Sequence, residues 1–392
     1  MTEIRILDKE ELLHASLLSQ YAFQYELTDE EVKERIEQQK DITVLGIFEG
    51  EQLASKLQII PLAIYINEQV YSMGGIAGVA TWPEFRRKKH VSTLITNALK
   101  IMKEKKQLVS FLHPFKISFY RKFGWDLYCE RANLEISKSD LVPFSMTHGV
   151  IKRVAKEEAF ATLSIIYETY AKQYNGMLKR TENWWTHRVY SKDSHFIVYI
   201  DEQNQPAGYL HYKMKDTVMD IKEMVYLHEE ARRGLWNFIC QHDSMADKVR
   251  ILTSTEDKLP YLLQNPFIKK DITPYFMGRI VDVLPFLQSY PFHTYESLFL
   301  HVYDQYAPWN NGTYYLNNGD ITFYQKEQEG SICVHPPKRG IQLDISTLSS
   351  LLIGNQRPTF LYEAGKISGS KDDVDRLEKM VPNRSGFFLD FF

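Results

Sequence analysis

The feature that most constrains the fold is residues 78–91, where a strand of small residues leads into a basic helix start. The strand is Gly78 to Thr81, and the basic run is Arg86 to Lys89. From Val91 to about Lys105 apolar residues recur at three- and four-residue steps, which predicts a helix with one face on a sheet. Unpaired N–H groups and the positive end of the dipole at a helix N-terminus favour an anion. We therefore predict that this turn binds the diphosphate of a dinucleotide-like cofactor.

A solvated charge run at a helix start is the alternative reading of Arg86 to Lys89. Cations at a helix N-terminus oppose the dipole, however, at a cost of about 0.3–1 kcal/mol each. A helix without a ligand would gain from acidic residues in that position instead. This unfavourable placement of cations favours an anion site, because a sequence departs from the usual preferences of helix ends mostly at functional sites.

A second motif follows at residues 113–125 and ends in Phe119-Tyr120-Arg121-Lys122-Phe123-Gly124-Trp125. A strand, a basic turn, a helix, another strand and a short F-Y-x-x-F-G-[FYW] helix succeed one another in the order typical of the GNAT superfamily of N-acetyltransferases. Over its whole length the chain resembles, more closely, the Eis-like (enhanced intracellular survival) family. This resemblance implies that the basic turn binds the pyrophosphate of acetyl-CoA and that Tyr120 protonates the departing thiolate.

The resemblance also implies which residues bind the cofactor. They are Val79, Ala80, Thr81, Arg86, Arg87, Lys88, Lys89, His90, Val91, Ser92, Phe115 and Lys116. Backbone N–H groups near Val79 to Thr81 are expected to hold the acetyl carbonyl oxygen. The chain departs from the family at Lys89, which stands where the turn usually has the glycine that lets backbone approach phosphate closely.

The C-terminal residues, Gly386-Phe387-Phe388-Leu389-Asp390-Phe391-Phe392, are unusually apolar. Chain ends are usually polar and frayed, so we expect this one to pack into protein. A buried carboxylate without a partner costs several kcal/mol. The α-carboxylate of Phe392 must therefore meet a cation, hydrogen-bond donors or a substrate amine, unless it lies at the surface. In the Eis-like family the terminal carboxylate serves as the catalytic base, and the resemblance implies that role for Phe392.

The function implied is an acetyl-CoA-dependent N-acetyltransferase that acts on an aminoglycoside, a polyamine or a protein lysine. Two alternatives stay open. The replacement of the turn glycine by Lys89 is compatible with a non-catalytic acetyl-CoA sensor or scaffold. An N-acyltransferase for longer, myristoyl-type chains is the other, because such enzymes also pair GNAT repeats and use a C-terminal carboxylate. For Tyr120 itself the alternative is a core aromatic residue with a satisfied hydroxyl, but its place in the motif favours the catalytic role.

The pattern of elements predicts an α+β protein in three parts. Residues 1–148 form the GNAT acetyltransferase domain, in which one strand is expected from Ile64 to Met73. A hairpin pattern at 43–60 recurs at 195–212, so residues 149–286 read as a second, degenerate GNAT domain. The basic turn of this second copy, Glu229 to Leu235, begins with two acids that satisfy the helix dipole, and no chemistry is assigned to it. Residues 287–392, with short strands at Leu298 to Tyr303, Ser331 to Val334 and Ile341 to Asp344 and a helix at about Lys371 to Met380, resemble a sterol-carrier-protein-like domain.

Length, charge and composition limit the number of domains and the classes of partner. A length of 392 residues predicts two to three domains, and a net charge of −3 argues against a nucleic-acid partner. Cys129, Cys240 and Cys333 lack metal-site spacing and are typical of reduced thiols in the cytoplasm, so no metal is expected. The N-terminus lacks the basic flank of a secretory signal, and no apolar run approaches 18 residues, so no membrane partner is expected. The family suggests a homo-oligomer, specifically a hexamer.

Overall fold

The computed structural model describes residues 2–38, 40–145, 147–325, 339–354 and 356–392. Its strands are β1 (Thr2–Ile6), β2 (Thr43–Glu49), β3 (Gln52–Ile66), β4 (Gln69–Thr81), β5 (Val109–Leu112), β6 (Asp126–Leu127), β7 (Glu130–Ser137), β8 (Val150–Val154), β9 (His195–Ile200), β10 (Pro206–Lys215), β11 (Val218–Tyr226), β12 (Lys248–Thr253), β13 (Lys269–Pro274), β14 (Met277–Ile280), β15 (Leu298–Tyr303), β16 (Gly312–Asn317), β17 (Asp320–Gln325) and β18 (Ile341–Asp344). Its helices are α1 (Glu11–Phe23), α2 (Asp29–Gln38), α3 (His90–Glu104), α4 (Ile117–Arg121), α5 (Lys156–Ala171), α6 (Glu182–Trp184), α7 (Glu229–Cys240), α8 (Leu259–Leu262), α9 (Val283–Ser289), α10 (Ile345–Leu352), α11 (Pro358–Glu363) and α12 (Lys371–Met380).

The first sheet has the strand order β1-β2-β3-β4-β5-β14-β6. Strands β2 to β4 are antiparallel, whereas β4 and β5 are parallel and are joined by helix α3. The apolar period predicted for α3 is confirmed, because Leu94, Ile95, Ala98, Leu99 and Met102 are all fully buried against the sheet. The basic turn therefore lies at the N-terminus of a helix that is fixed to the sheet along its length.

The single strand predicted from Ile64 to Met73 is wrong. The chain instead turns back at Asn67 and Glu68, which separate β3 from β4 and pair Ile66 with Gln69. Both turn residues have positive φ angles, 46° and 70°. Two-residue hairpin turns of this kind need positive φ at both central positions, and asparagine adopts that conformation readily. The run of apolar residues on both sides concealed the turn.

The second sheet has the order β13-β7-β12-β11-β10-β9-β8 and contains the predicted repeat of the hairpin in β9 and β10. The two sheets exchange strands. Strand β7 precedes the predicted domain boundary at residue 148 but lies in the second sheet, whereas β14 comes from the second part and lies in the first sheet. The three domain boundaries stay a prediction, and the exchange ties the first two parts together.

The third sheet joins its described strands in the order β17-β16-β15-β18 and packs against α9, α10 and α12. The strands predicted at Leu298 to Tyr303 and Ile341 to Asp344 have those same bounds. The strand predicted at Ser331 to Val334 lies outside the described residues, as does Cys333. Cys129 and Cys240 are buried free thiols. In the described ranges, every helix is too short or too polar to span a bilayer.

Candidate active site

Strands β4 and β5 separate at the centre of the first sheet. They pair only from Met73 to Ile76, and β4 then continues to Thr81 without β5 beside it. A bulge occurs at the same place, because the pairing partners of Lys56 and Gln58 on β3 are Ala80 and Ala77 on β4. Bulges of this kind often lie beside active sites, where they redirect backbone groups. The N–H and C=O groups on the β5 side of this segment are thus free of β5 and can bind an extended amide ligand.

The basic turn keeps the backbone conformation of a glycine-containing turn. Arg87 and Lys89 have φ angles of 66° and 63°, and Lys89 precedes helix α3 in a left-handed conformation. A non-glycine residue in that region costs roughly 1–2 kcal/mol. The departure at Lys89 therefore changes the side chain and adds strain, but it does not change the path of the backbone.

The basic residues of the turn divide into two groups. Arg86, Arg87 and Lys89 are exposed, and Arg86 lines the large cleft described below. Lys88 and the buried His90 instead face Glu49 at the end of β2, at 3.7 Å and 3.1 Å from its Oε1 atom. Glu49 thus supplies the acid that the first turn of α3 lacks. The cations free to meet a diphosphate are Arg86, Arg87 and Lys89.

A cleft of about 1760 Å³ opens on the first sheet and receives residues from all three parts of the chain. Small-molecule pockets usually enclose about 300–1,000 Å³, so this one has room for a cofactor and a second substrate. The predicted residues that line it are Val79, Ala80, Thr81, Arg86, Val91, Phe115, Tyr120 and Phe392. The predicted residues outside its lining are Arg87, Lys88, Lys89, His90, Ser92 and Lys116.

Tyr120 lies on the short helix α4 and is only 3% exposed. Its ring is held by Phe119 and Phe115, whose centroids are 5.1 Å and 5.6 Å away. Burial raises the pKa of the Tyr120 hydroxyl to about 12. The hydroxyl is therefore protonated at neutral pH and can act as a proton donor.

The C-terminal phenylalanines pack into the protein as expected, with one exception. Phe387 and Phe388 are fully buried, and the ring of Phe392 lies 5.0 Å from that of Phe276. Phe391 is 59% exposed, although it also lines the cleft. The chain end therefore enters the same cleft as Tyr120, along the surface of β4.

Asp390 anchors this end through a buried network that the sequence analysis did not select. Arg180 donates from Nε to the Oδ1 atom of Asp390 at 2.9 Å, and Trp184 donates from Nε1 to the same oxygen at 2.7 Å. The Tyr275 hydroxyl donates to the Asp390 carbonyl oxygen at 2.8 Å. Arg180 also forms a two-point ion pair with Glu223, at 2.6 Å and 3.1 Å.

The electrostatics of this network keep Arg180 charged between two carboxylates. Burial raises the pKa of Asp390, and the charge of Glu223 adds to that effect, while Arg180 opposes it. Burial also acts to raise the pKa of Glu223, but Arg180 and its hydrogen bonds bring it below the usual value. Side chains from the second part of the chain thereby hold the chain end two residues before Phe392.

His113 is a further lining residue that the sequence analysis did not assign. It follows β5, and its ring lies 5.2 Å from that of Phe391. Burial, together with the charge of Arg131, lowers the pKa of His113. The imidazole is thus neutral at pH 7 and able to accept a proton.

The basic turn of the second part has no cations free for a cofactor. Arg232 is buried and contacts Glu229 at 2.5 Å, and Arg233 lies 3.6 Å from the same glutamate. The His228 side chain accepts a hydrogen bond from the Ala231 N–H and so caps helix α7. These contacts agree with the prediction that this turn has a structural role.

Comparison with known families finds three domain matches along the chain. Two acetyltransferase (GNAT) domain families match residues 3–128 and 176–280, and a sterol carrier protein domain family matches residues 283–389. The chain is an N-acetyltransferase of the GNAT family. The recognition of two GNAT domains followed by a sterol-carrier-protein-like domain in an α+β protein is therefore confirmed.

Relatives of this acetyltransferase resemble it over most or all of its length. An uncharacterised N-acetyltransferase of Streptomyces griseus is 24% identical over 330 residues, which cover 76% of each chain. A protein of unknown function from Enterococcus faecalis V583, described as a probable N-acyltransferase, is 25% identical, with a TM-score of 0.91 and full coverage of both chains. Eis1 from Mycobacterium abscessus is 20% identical, with a TM-score of 0.82 and full coverage of both chains, and so shares the fold.

Proposed function

We propose that this acetyltransferase transfers the acetyl group of acetyl-CoA to an amine, with Tyr120 as general acid and the Phe392 carboxylate as base. The observation that carries the proposal is that Tyr120, Phe392 and the unpaired end of β4 all line one cleft, at the N-terminus of α3. General acids and bases must lie within reach of the reacting atoms in this way.

The cofactor would be held by this chain's backbone and cations. Arg86, Arg87 and Lys89 with the N-terminus of α3 would bind the diphosphate, and the free backbone groups of β4 would bind the pantetheine amides. Backbone N–H groups near Val79 to Thr81 would stabilise the charge that develops on the acetyl oxygen. The Lys89 backbone fits this function, because its left-handed conformation leaves the turn open as a glycine would.

In the chemical step the acceptor amine loses a proton to the base and forms a bond to the acetyl carbonyl carbon. The C–S bond then breaks, and the CoA thiolate takes the hydroxyl proton of Tyr120. A tyrosine with a pKa of about 12 is a weak donor to a free thiolate. The same burial would raise the pKa of a thiol in this site, which reduces the mismatch between donor and acceptor.

His113 is the second group that could take the amine proton, because it lines the cleft and is neutral at pH 7. His113→Gln should leave the turnover number within about twofold if Phe392 is the base. A loss of about 10²-fold, the usual size for a general base, would assign the base to His113.

The experiment that tests the proposal is a thiol-release assay over a panel of amines, with acetyl-CoA and myristoyl-CoA as donors. Tyr120→Phe should retain acetyl-CoA affinity by calorimetry while the turnover number falls about 10²-fold or more. Tyr303→Phe, at an exposed tyrosine of the third part, is the matched control. Binding of acetyl-CoA without thiol release on any amine would identify a sensor, and a preference for myristoyl-CoA would identify a longer-chain acyltransferase.

A further inference from the structure

The part of the cleft away from the basic turn is lined by cations, of which only Arg180 has an acidic partner among the described residues. It lies between helix α2, strand β3 and the segment at 179–188. Its charged residues are Arg35, Lys56, Lys179, Arg180 and Arg188, and Asp41 is the one acidic side chain among the described residues of the lining. Because Arg180 is already paired with Glu223 and Asp390, the remaining cations determine the charge of this region.

Lys56 is the most unusual of these cations. It lies on β3, is 1% exposed and lines the cleft, and none of the hydrogen bonds or ion pairs within the described ranges involves its ammonium group. The ammonium nitrogen lies beside the bulge in β4, 3.2 Å from where a Cβ atom on Gly78 would be. An ammonium group buried without a partner is costly. A bound anion would offset the cost of placing a charged lysine at this position.

Arg35 and Arg188 converge on the same region from two other elements. Arg35 on α2 donates to the Tyr25 hydroxyl at 2.8 Å, and Arg188 lies 5.7 Å from the centroid of the Trp184 ring. Burial, followed by the charge of Arg35, lowers the pKa of Lys56 to about 8. The same two causes, in the same order, lower the pKa of Arg188. The charge of Arg35 thus acts on both Lys56 and Arg188.

We propose that the acceptor is an amine that also carries an anionic group, a carboxylate or a phosphate, which binds among Lys56, Arg35 and Arg188 while the amine faces Phe392. The inference rests on the proposed function and narrows its acceptor class. It departs from the polyamines and aminoglycosides that the family resemblance implies. A polycation would meet three like charges here, and Asp41 with the terminal carboxylate would be its only counter-charges in the described lining.

The test compares amines in matched pairs that differ only in the anion. Suitable pairs are 6-aminohexanoate with 6-aminohexanamide and phosphoethanolamine with ethanolamine, and spermidine serves as the polycation. We expect kcat/KM for at least one anionic member to exceed that of its neutral partner by tenfold or more. The carboxylate and phosphate pairs show which anion is preferred. A higher kcat/KM for spermidine than for both anionic amines would overturn the proposal.

Lys56→Met and Arg35→Met connect the preference to these residues. Each should lower kcat/KM for the anionic amine at least tenfold and leave that for the neutral partner within about twofold. Lys33→Met is the matched control, because Lys33 is exposed on the same helix as Arg35 and lies outside the lining of the cleft. Equal losses for both members of a pair would show a structural role and would overturn the proposal. If Lys56→Met fails to fold, Lys56→Gln replaces it.

The proposal can fail separately from the proposed function. If acetyl-CoA is turned over but the anionic amines are not favoured, the acceptor class is wrong and the acetyltransferase mechanism stands. If no amine is acetylated, calorimetry of 6-aminohexanoate and phosphoethanolamine on the wild type and Lys56→Met still measures anion recognition. Equal dissociation constants for the two proteins in that experiment would reject the anion site.

Discussion

The ring of Phe392 lies directly on the backbone of Gly75, at the point where β4 and β5 begin to separate. A Cβ atom on Gly75 would be 2.7 Å from the Cε2 atom of that ring, closer than real contacts allow. The absence of a side chain on one strand residue therefore determines where the last residue of the chain can lie.

Gly75→Ala should accordingly displace Phe392 and lower the turnover number at least tenfold, because a base moved by about 1 Å loses much of its effect. Steady-state kinetics on the folded variant measure this. A smaller terminal residue should relieve the clash, so Gly75→Ala combined with Phe392→Ala should recover part of the loss relative to Gly75→Ala alone. A double variant no better than Gly75→Ala would disconnect the two residues.

Addition of one glycine after Phe392 should abolish most activity. The extra residue moves the carboxylate by up to about 3.6 Å, which is more than a positioned base tolerates. We expect at least a tenfold fall in turnover at an unchanged melting temperature. One glycine added at the N-terminus is the control. Equal turnover from both proteins would remove the Phe392 carboxylate from the mechanism.

Asp390→Asn should lower the turnover number while leaving the KM for acetyl-CoA close to that of the wild type. The substitution weakens the ion pair between Arg180 and the chain end but leaves the basic turn, where we propose that the diphosphate binds, unchanged. Asp375→Asn, at an exposed position on α12, is the control. Parallel changes in turnover and in the KM for acetyl-CoA would indicate general disruption instead.

Arg180→Met should be far more harmful to stability than Asp390→Asn. It leaves Glu223 and Asp390 buried without their shared counter-charge, and the loss of one member of a buried ion pair costs about 3–5 kcal/mol. Urea denaturation at pH 7 measures the free energy of unfolding of both variants. A similar value for the two would show that Arg180 is not the centre of the network.

Lys56→Met should stabilise the protein, and more at neutral than at high pH. The pKa of Lys56 falls from 10.5 to about 8 on folding, so the unfolded state binds more protons between these values and stability rises with pH through that window. Burial of the charged Lys56 ammonium therefore lowers the free energy of unfolding by its full amount, roughly 3 kcal/mol, below about pH 8. Arg35 is the charged group that acts on Lys56. Denaturation of wild type and variant at pH 7 and pH 10 checks this, and a constant difference would contradict the lowered pKa.

Much of the fold could be predicted from local pattern. The apolar period of α3, the strand at His195 to Ile200 and the helix at Lys371 to Met380 follow from residues that are close in sequence. The turn at Asn67 and Glu68 was missed because runs of apolar residues lie on both sides of it. The strand exchange could not be predicted, since it depends on β7 and β14, which are separated by more than a hundred residues. The sequence of neither strand indicates which strand it pairs with.

In the candidate site, too, only the residues that belong to local motifs could be predicted from the sequence. Tyr120 and the basic turn lie in motifs and could be selected from the sequence. Arg180, Glu223 and Asp390 could not, because their contacts join positions far apart in the chain, and each alone is typical of a surface charge. Lys56 offered one signal that the sequence analysis did not use. It is a lysine between serine and leucine in a strand with buried neighbours on both sides.

The strand exchange also has a consequence for synthesis on the ribosome. The first sheet acquires β14 between β5 and β6 only after residue 280 has been translated. Until then β5 has an unpaired edge, which is the kind of surface that recruits other chains. A nascent first part should therefore need protection from aggregation while the second part is made, and neither part is expected to fold independently when it is expressed alone.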